Sequence, residues 1–350
     1  MDKVDKQYRS VKLWLRDIVG YFIKTRFYRC NIERFRLKFP MALCVNVHTY
    51  CNQACIMCPY ETLHHDIKQG IMDWHLYVRI LEEFSHHGGK ILTFNNFSEI
   101  FAVPQGIHYV MKALEYENLE TYIVSNGTSI TPSVTDRLVE KDFSGIFYLS
   151  CHAFSNETFR RVTKRDNFKE VKNNISYLAK KHRKPANIVI QYITDFSSPE
   201  EIKEARRYWR SLGVSLNEII AHTFCDVDSD NTLSANNKFD FLAGCSSWGY
   251  DAGLPFYQIV VQHDGRVTLC CMDVSQKIVL GNVNEQTLFQ IWNNVDFINI
   301  VRNIYSGNMS SQVDFICNRC PSALYKSQLV PPNPFEVSLV KFANLISKHL

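Results

Sequence analysis

No stretch of this 350-residue chain is apolar for the roughly 18 or more consecutive residues that a membrane span needs. The best run near the N-terminus, VKLWLRDIVGYFI, is broken by Arg16 and Asp17, and the opening MDKVDKQYRS is charged where a secretory signal would be apolar. The chain also lacks low-complexity segments and any repeat beyond a strand-and-helix period. These absences point to a cytoplasmic protein whose thiols stay reduced. Clustering among its twelve cysteines then speaks for metal binding or catalysis ahead of disulfides.

Charge of one sign is scarce except at one end. The net charge is +4, but residues 1–40 hold eleven Lys/Arg against four Asp/Glu, so that arm is +7 and the remainder −3. The arm reads as a helical extension packed on the body with a solvated face. Contact with an anionic membrane surface or nucleic acid is its alternative use.

With 46% hydrophobic residues the rest can bury a sizeable core. Six β-branched or aromatic runs read as strands: ALCVNVHTY (42–50), ILTFNNF (91–97), ETYIVSNG (120–127), GIFYLSCHA (145–153), ANIVIQYI (186–193) and LNEIIAHTF (216–224). Between them, stretches such as MDWHLYVRILEEF and NFKEVKNNISYLAKKH place apolar residues at helical spacing. This alternation predicts an α/β fold over 41–235, an open, partial (β/α)6 barrel with too few strands to close an eight-stranded one. After about residue 235 the pattern changes. FYQIVVQHDGRVTLCC reads as a hairpin turning at Asp264-Gly265 in a type I′ turn, within a small α+β module over 236–325. The tail over 326–350 reads as an amphipathic helix after a proline-rich break.

The first strand runs into HTYCNQACIMCPY, where Cys51, Cys55 and Cys58 have C-x3-C-x2-C spacing. Parallel α/β sheets place their chemistry at such carboxyl strand ends. A zinc staple completed by His48, His64 or His65 is one reading, although structural zinc generally uses two separated pairs. Three soft thiolates also suit an iron-sulfur cluster with one iron left open. Downstream lie Cys245, the adjacent Cys270 and Cys271, and Cys317 and Cys320 in C-x2-C spacing. By spacing alone these fit zinc as well as a cluster. On an alternating strand Cys270 and Cys271 point to opposite faces. Cys30, Cys44 and Cys151 read as buried small hydrophobes.

At the triplet the chain resembles the radical S-adenosylmethionine (radical SAM) superfamily, with Met57 where that family usually has an aromatic residue. FNNFSEIF stands at the family's Gly-Gly-Glu-Pro segment, so Glu99 matches its glutamate while both glycines and the proline are missing. VSNGTSI resembles the family's Asn-Gly turn at Asn126 and Gly127, and YLSCHAFSNETFRRVTKRDNFKEVKNNI carries Ser150 onto a cofactor-contacting position. GRVTLCCMD, LGNV, LFQIWNN and the final C-x2-C resemble the SPASM/twitch extension, with Gly265 and Cys270 matching its G-x4-C.

The resemblance implies a SAM-binding 4Fe-4S cluster on Cys51, Cys55 and Cys58 and one auxiliary 4Fe-4S cluster on Cys245, Cys270, Cys317 and Cys320, since no cysteine follows Cys320. It also implies a reductant such as flavodoxin or ferredoxin, and an oxidoreductase that cleaves SAM to a 5′-deoxyadenosyl radical. The expected substrate is a small polar molecule, sugar- or cyclitol-like, oxidised with the auxiliary cluster as electron acceptor. His152, Asp195 and His222 are candidate proton acceptors. A radical epimerase with Cys271 or Cys225 as hydrogen donor is the first alternative. A peptide-modifying radical SAM/SPASM enzyme is a second, and a zinc-stapled nucleic-acid-binding protein a third; the arm is short for a leader-binding winged helix.

Overall fold

The computed structural model describes residues 36–63, 65–94, 97–219, 242–245, 256–306, 316–320 and 323–325. The arm through residue 35, His64, His222, Cys225 and the expected C-terminal helix over 326–350 lie outside the described residues. Among the described residues no helix is long and apolar enough to cross a membrane.

In chain order the first half contains β1 (Ala42–Val45), α1 (Tyr60–Leu63), α2 (Trp74–His86), β2 (Ile91–Phe94), α3 (Gly106–Ala113), β3 (Glu120–Ser125), α4 (Pro132–Glu140) and β4 (Ile146–Ser150). There follow α5 (Asn156–Thr163), α6 (Phe168–Lys181), β5 (Ile188–Ile193), α7 (Pro199–Ser211) and β6 (Ser215–Ile219). The last part contains β7 (Leu242–Cys245), β8 (Gln258–Val261), β9 (Arg266–Thr268), β10 (Val279–Asn282), α8 (Leu288–Trp292), α9 (Val295–Ser306) and β11 (Ala323–Tyr325).

Strands β1 to β6 pair in parallel and in sequential order. Each crossover therefore steps one strand the same way, and a constant handedness lays the helices on one face, as in an unclosed barrel. Local chemistry starts the helices where expected. Asp73 accepts from the Leu76 N–H at 2.9 Å to open α2, and Thr131 followed by Pro132 opens α4. α2 then buries Leu76, Tyr77, Ile80, Leu81 and Phe84, one stripe at helical spacing, each worth roughly 1.5–3 kcal/mol of burial.

The sheet does not stop at β1. β8 pairs parallel to β1's other edge, with Ala42 opposite Gln258, and β9 and β10 continue antiparallel, giving nine strands in one sheet. The downstream hairpin thus extends the first sheet, while β7 and β11 form a separate pair. The turn also differs from the expected type I′, which needs positive φ at both central residues. Only Gly265 has positive φ here, +89°; its N–H bonds the Gln262 carbonyl at 2.9 Å, and Gln262 N–H bonds the Arg266 carbonyl at 2.8 Å. That is a three-residue loop with a left-handed glycine.

Helix α5 was not foreseen from spacing. α5 starts at Ser155, whose hydroxyl accepts from Thr158 N–H at 3.2 Å, but a distant residue completes the cap. Glu201 of α7 accepts from the N–H groups of Phe154 (2.6 Å) and Ser155 (2.9 Å) and from the Thr158 hydroxyl (2.8 Å). A Cβ at Gly265 would meet Asn284 Nδ2 at 2.3 Å besides straining φ. Gly265→Ala is expected to cost about 1–3 kcal/mol, read as a lower urea midpoint at unchanged m-value.

Candidate functional site

The loop after β1 carries the cysteine triplet and has little regular structure, so its shape comes from neighbours. Ala54 N–H bonds the Thr163 carbonyl at 3.1 Å and Ile56 N–H the Val162 carbonyl at 2.9 Å, fastening the loop to the last turn of α5. Cys51 N–H donates to the Tyr60 hydroxyl at 3.1 Å, and Cys58 N–H to the Cys55 carbonyl at 2.9 Å. Asn52 ties the same loop to the end of β3: its Nδ2 donates to the Thr128 hydroxyl and its Oδ1 accepts from Asn126 Nδ2, both at 2.8 Å.

Cys51, Cys55 and Cys58 line one cleft of about 210 Å³ together with Glu99, Asn126, Ser150 and His152. Residues far apart in sequence meet there because every parallel strand ends on the same side. Ser150 closes β4 beside Gln191 of β5, and Gln191 lines the cleft too. Glu99 is fully buried. One oxygen accepts from the Ser125 hydroxyl (2.8 Å) and Phe101 N–H (3.3 Å), the other from Asn126 N–H (2.6 Å). The carboxylate therefore joins the segment after β2 to the end of β3. Burial raises its pKa to about 7 in spite of these three donors.

Asn126 and Gly127 form the turn after β3. Asn126 Oδ1 accepts from Thr128 N–H at 3.0 Å, and its Nδ2 also lies 4.0 Å from Cys51 Sγ. Gly127 has φ +77°, and a Cβ there would meet Ile175 at 3.1 Å, so close packing on α6 and backbone conformation both require glycine. Asn174 of α6 holds the turn's carbonyls, donating to Thr128 at 2.9 Å and Gly127 at 3.2 Å.

His152 is 9% exposed and its Nδ1 has no hydrogen-bond partner. Burial lowers its pKa to about 4, against a hydrogen bond with the Gln191 backbone, so the ring is neutral at physiological pH. Gln53, not singled out from the sequence, is 3% exposed, lines the cleft, accepts from Cys55 Sγ at 3.4 Å and leaves Nε2 unpartnered. Its position between two cysteines is the one available sequence signal. Asp195 sits exposed on the Thr194–Phe196 turn and does not line the cleft. The structure thus separates it from the other candidates.

The donor set accepts a cluster better than a lone ion. Among the described residues no three His, Cys, Asp or Glu side chains converge tightly enough to hold a single metal ion. His48, considered as a fourth zinc ligand, has both nitrogens engaged: Nδ1 accepts from Tyr50 N–H at 3.2 Å, and Nε2 reaches the Ile100 carbonyl at 3.1 Å. Burial pushes the Cys51 thiol up to about 12, and raises Cys55 and Cys58 likewise. Thiolates here require compensating cations, and soft sulfur donors with one ligand short match an iron-sulfur cluster.

The second set also comes together. Cys270 is buried, and after burial its pKa is raised by the nearby Cys271, Cys317, Cys320 and Cys245. Cys271, raised to about 12 by burial, also feels Cys245 and Cys320. The expected split of Cys270 and Cys271 onto opposite strand faces does not arise, because β9 ends at Thr268 and the pair lies in the following turn. Five thiols are gathered where four suffice. β7 brings Cys245 through its pairing with β11, and Cys320 N–H bonds the Cys317 carbonyl at 3.4 Å.

Glu99 gives a test with a definite sign. Its folded pKa lies above the unfolded value, so its contribution is present below about pH 4.5 and is lost as pH rises through 7, on the order of 3 kcal/mol across that window. Glu99→Gln turns an acceptor into a donor against Asn126 N–H. It is expected to lower stability by about 1–3 kcal/mol near neutral pH and by more at pH 5, in denaturant titrations at both pH values.

The family model of the radical SAM superfamily matches residues 45–214, and that of the SPASM iron-sulfur cluster-binding domain matches 253–321. No curated protein sequence matches the chain. Among solved structures, BtrN in complex with AdoMet and 2-DOIA is similar at 19% identity and TM-score 0.53, over 83% of this chain and 96% of BtrN. Streptococcus suis SuiB bound to precursor peptide SuiA is similar at 14% identity and TM-score 0.58, over 83% and 72% of the two chains. The enzyme anSMEcpe with bound AdoMet gives 16%, 0.55, 81% and 86%. With both models in chain order, the first spanning the triplet and the second Cys270, Cys271, Cys317 and Cys320, the chain belongs to the radical SAM superfamily and carries a SPASM-type auxiliary cluster domain, so that 4Fe-4S clusters and S-adenosylmethionine are its cofactors.

Proposed function

We propose that this enzyme abstracts hydrogen from a small polar substrate, sugar- or cyclitol-like, and oxidises it, with the auxiliary cluster taking the second electron. The observation that carries this reading is His152, a buried neutral imidazole that lines the same cleft as the thiol triplet and has an unpartnered Nδ1. Oxidation of a C–H and an O–H or N–H needs an acceptor for one proton, and Nδ1 is that acceptor. Epimerisation instead needs a hydrogen-donating thiol, and among the described residues no cysteine outside the triplet lines the cleft. BtrN, matched over 96% of its length, was captured with AdoMet and the small molecule 2-DOIA, in keeping with a small substrate.

When bound, the cluster and S-adenosylmethionine supply a 5′-deoxyadenosyl radical, chemistry that belongs to the cofactors. The chain's share is holding and orienting. Cys51, Cys55 and Cys58 hold the first cluster, while Cys245, Cys270, Cys317 and Cys320 hold the auxiliary one. Glu99, Asn126, Gly127 and Ser150 orient the methionine end of the cofactor from the strand tips. Asp195, exposed and outside the cleft, has no part; the core over 41–235 and the module over 236–325 divide these tasks. The enzyme works in the cytoplasm, where its thiols stay reduced.

The reading is tested with anaerobically reconstituted protein, S-adenosylmethionine and dithionite, with 2-DOIA as first probe substrate. Changing Cys51, Cys55 and Cys58 together to Ala is expected to abolish 5′-deoxyadenosine. His152→Ala is expected to keep its release while lowering oxidised product by about 10²–10⁴-fold. Solvent deuterium at carbon with no change of oxidation state would replace oxidation by epimerisation. No 5′-deoxyadenosine above the triple variant would overturn the radical chemistry.

A further inference from the structure

The thiol triplet lies in a cleft, yet one side of its loop reaches the surface. Ile56, between Cys55 and Cys58, is 48% exposed. Its backbone and that of Ala54 are bonded to the last turn of α5, and the chain around that turn reads RRVTKR. Arg160, Arg161, Lys164 and Arg165 are all exposed, and none of the four is in an ion pair among the described residues. Phe159, Val162 and Thr163 of the same turn are buried; Lys164 has left-handed φ 57°, and Arg161 donates to the Phe196 carbonyl.

The loop and the charges are one unit. Arg165 Nε donates to the Asn52 carbonyl at 3.0 Å, inside the cysteine loop, and its charge acts on Cys55. A helix C-terminus favours cations, which suits Arg160 and Arg161, but Lys164 and Arg165 lie beyond the helix and are not needed for that. In sequence, Glu157 and Asp166 flank the run and Glu61 follows the thiol loop. An exposed apolar residue fastened to a turn that bears four exposed cations has the composition of a docking face for an acidic protein.

We propose that Ile56 with Arg160, Arg161, Lys164 and Arg165 is the docking face for a protein electron donor with an acidic surface. This rests on the radical reading above, which requires one electron to enter through the loop held by Cys51, Cys55 and Cys58. The donor is oxidised by one electron and the cluster reduced by one; no proton or group moves. This is the side on which the thiol loop meets solvent beside positive charge, so donor attraction and a short electron path coincide.

Reduced flavodoxin serves as the acidic probe and dithionite as the small donor that needs no docking. The variant Arg160→Glu/Lys164→Glu leaves Arg165 to hold Asn52. With limiting flavodoxin it is expected to lose about tenfold or more in 5′-deoxyadenosine rate and to raise the half-saturating flavodoxin concentration, while its dithionite-supported rate stays within about twofold of wild type. Lys180→Glu/Lys181→Glu, on the far end of α6, is expected to change neither. Labelled flavodoxin titrated directly at low and high salt reads docking without turnover, with weaker binding expected in the variant and at high salt. Equal flavodoxin affinity for wild type and variant, or equal loss with both reductants, would overturn the docking face. Absence of 5′-deoxyadenosine with dithionite in the wild type would instead overturn the radical reading, and the binding titration would still decide the face.

Discussion

A loop with little regular structure must hold three thiols at fixed positions, and that constraint organises the rest of the molecule. Two backbone bonds to the end of α5, one to the Tyr60 hydroxyl and the Asn52 contacts with the turn after β3 supply the rigidity that the loop itself lacks. α5 in turn is capped by Glu201 from α7. The turn after β3 is held by Glu99 from the neighbouring strand's end and by Asn174 of α6. Displacing any of these elements moves the cysteines, so the barrel serves as a frame for one loop.

Electrostatics in the cleft run in one direction. Burial pushes Glu99 and the three thiols toward their protonated, neutral forms, and His152 toward its deprotonated, neutral form. The protein by itself therefore presents a nearly uncharged cleft. Iron supplies the positive charge that makes thiolates stable there, and binding it releases protons. The imidazole in the same space is neutral at rest, and the burial that keeps it so also opposes its charging, so a proton it accepts is readily passed on.

The five gathered thiols of the second set follow from strand pairing more than from spacing. Cys245 comes in on β7 through its pairing with β11, just after the C-x2-C pair, while Cys270 and Cys271 follow β9 at the far side of a sheet begun by β1. Because β8 pairs directly with β1, the triplet and the Cys270–Cys271 pair follow strands of one continuous sheet, while Cys245, Cys317 and Cys320 come from the separate β7–β11 part. A shared rigid sheet is a physical basis for a fixed separation between two redox centres.

Much was legible in the residues alone. Period-two and period-3.6 patterns located the strands β1 to β6 and helices such as α2 and α6. The triplet's spacing and strand-end position located the cluster loop, while the family resemblance, motif by motif after β2, β3 and β4, supplied Glu99, Asn126 and Ser150. These are local properties, set by neighbours within a turn or a strand. The tertiary structure decided what depends on distant partners: α5, whose cap comes from Glu201; the join of β8 to β1; the three-residue turn at Gly265; the shared location of Cys270 and Cys271; and the roles of Gln53 in the cleft and Asp195 outside it. A side chain's burial and unpaired atoms depend on what other elements bring against it, and no reading of its immediate neighbours contains that information.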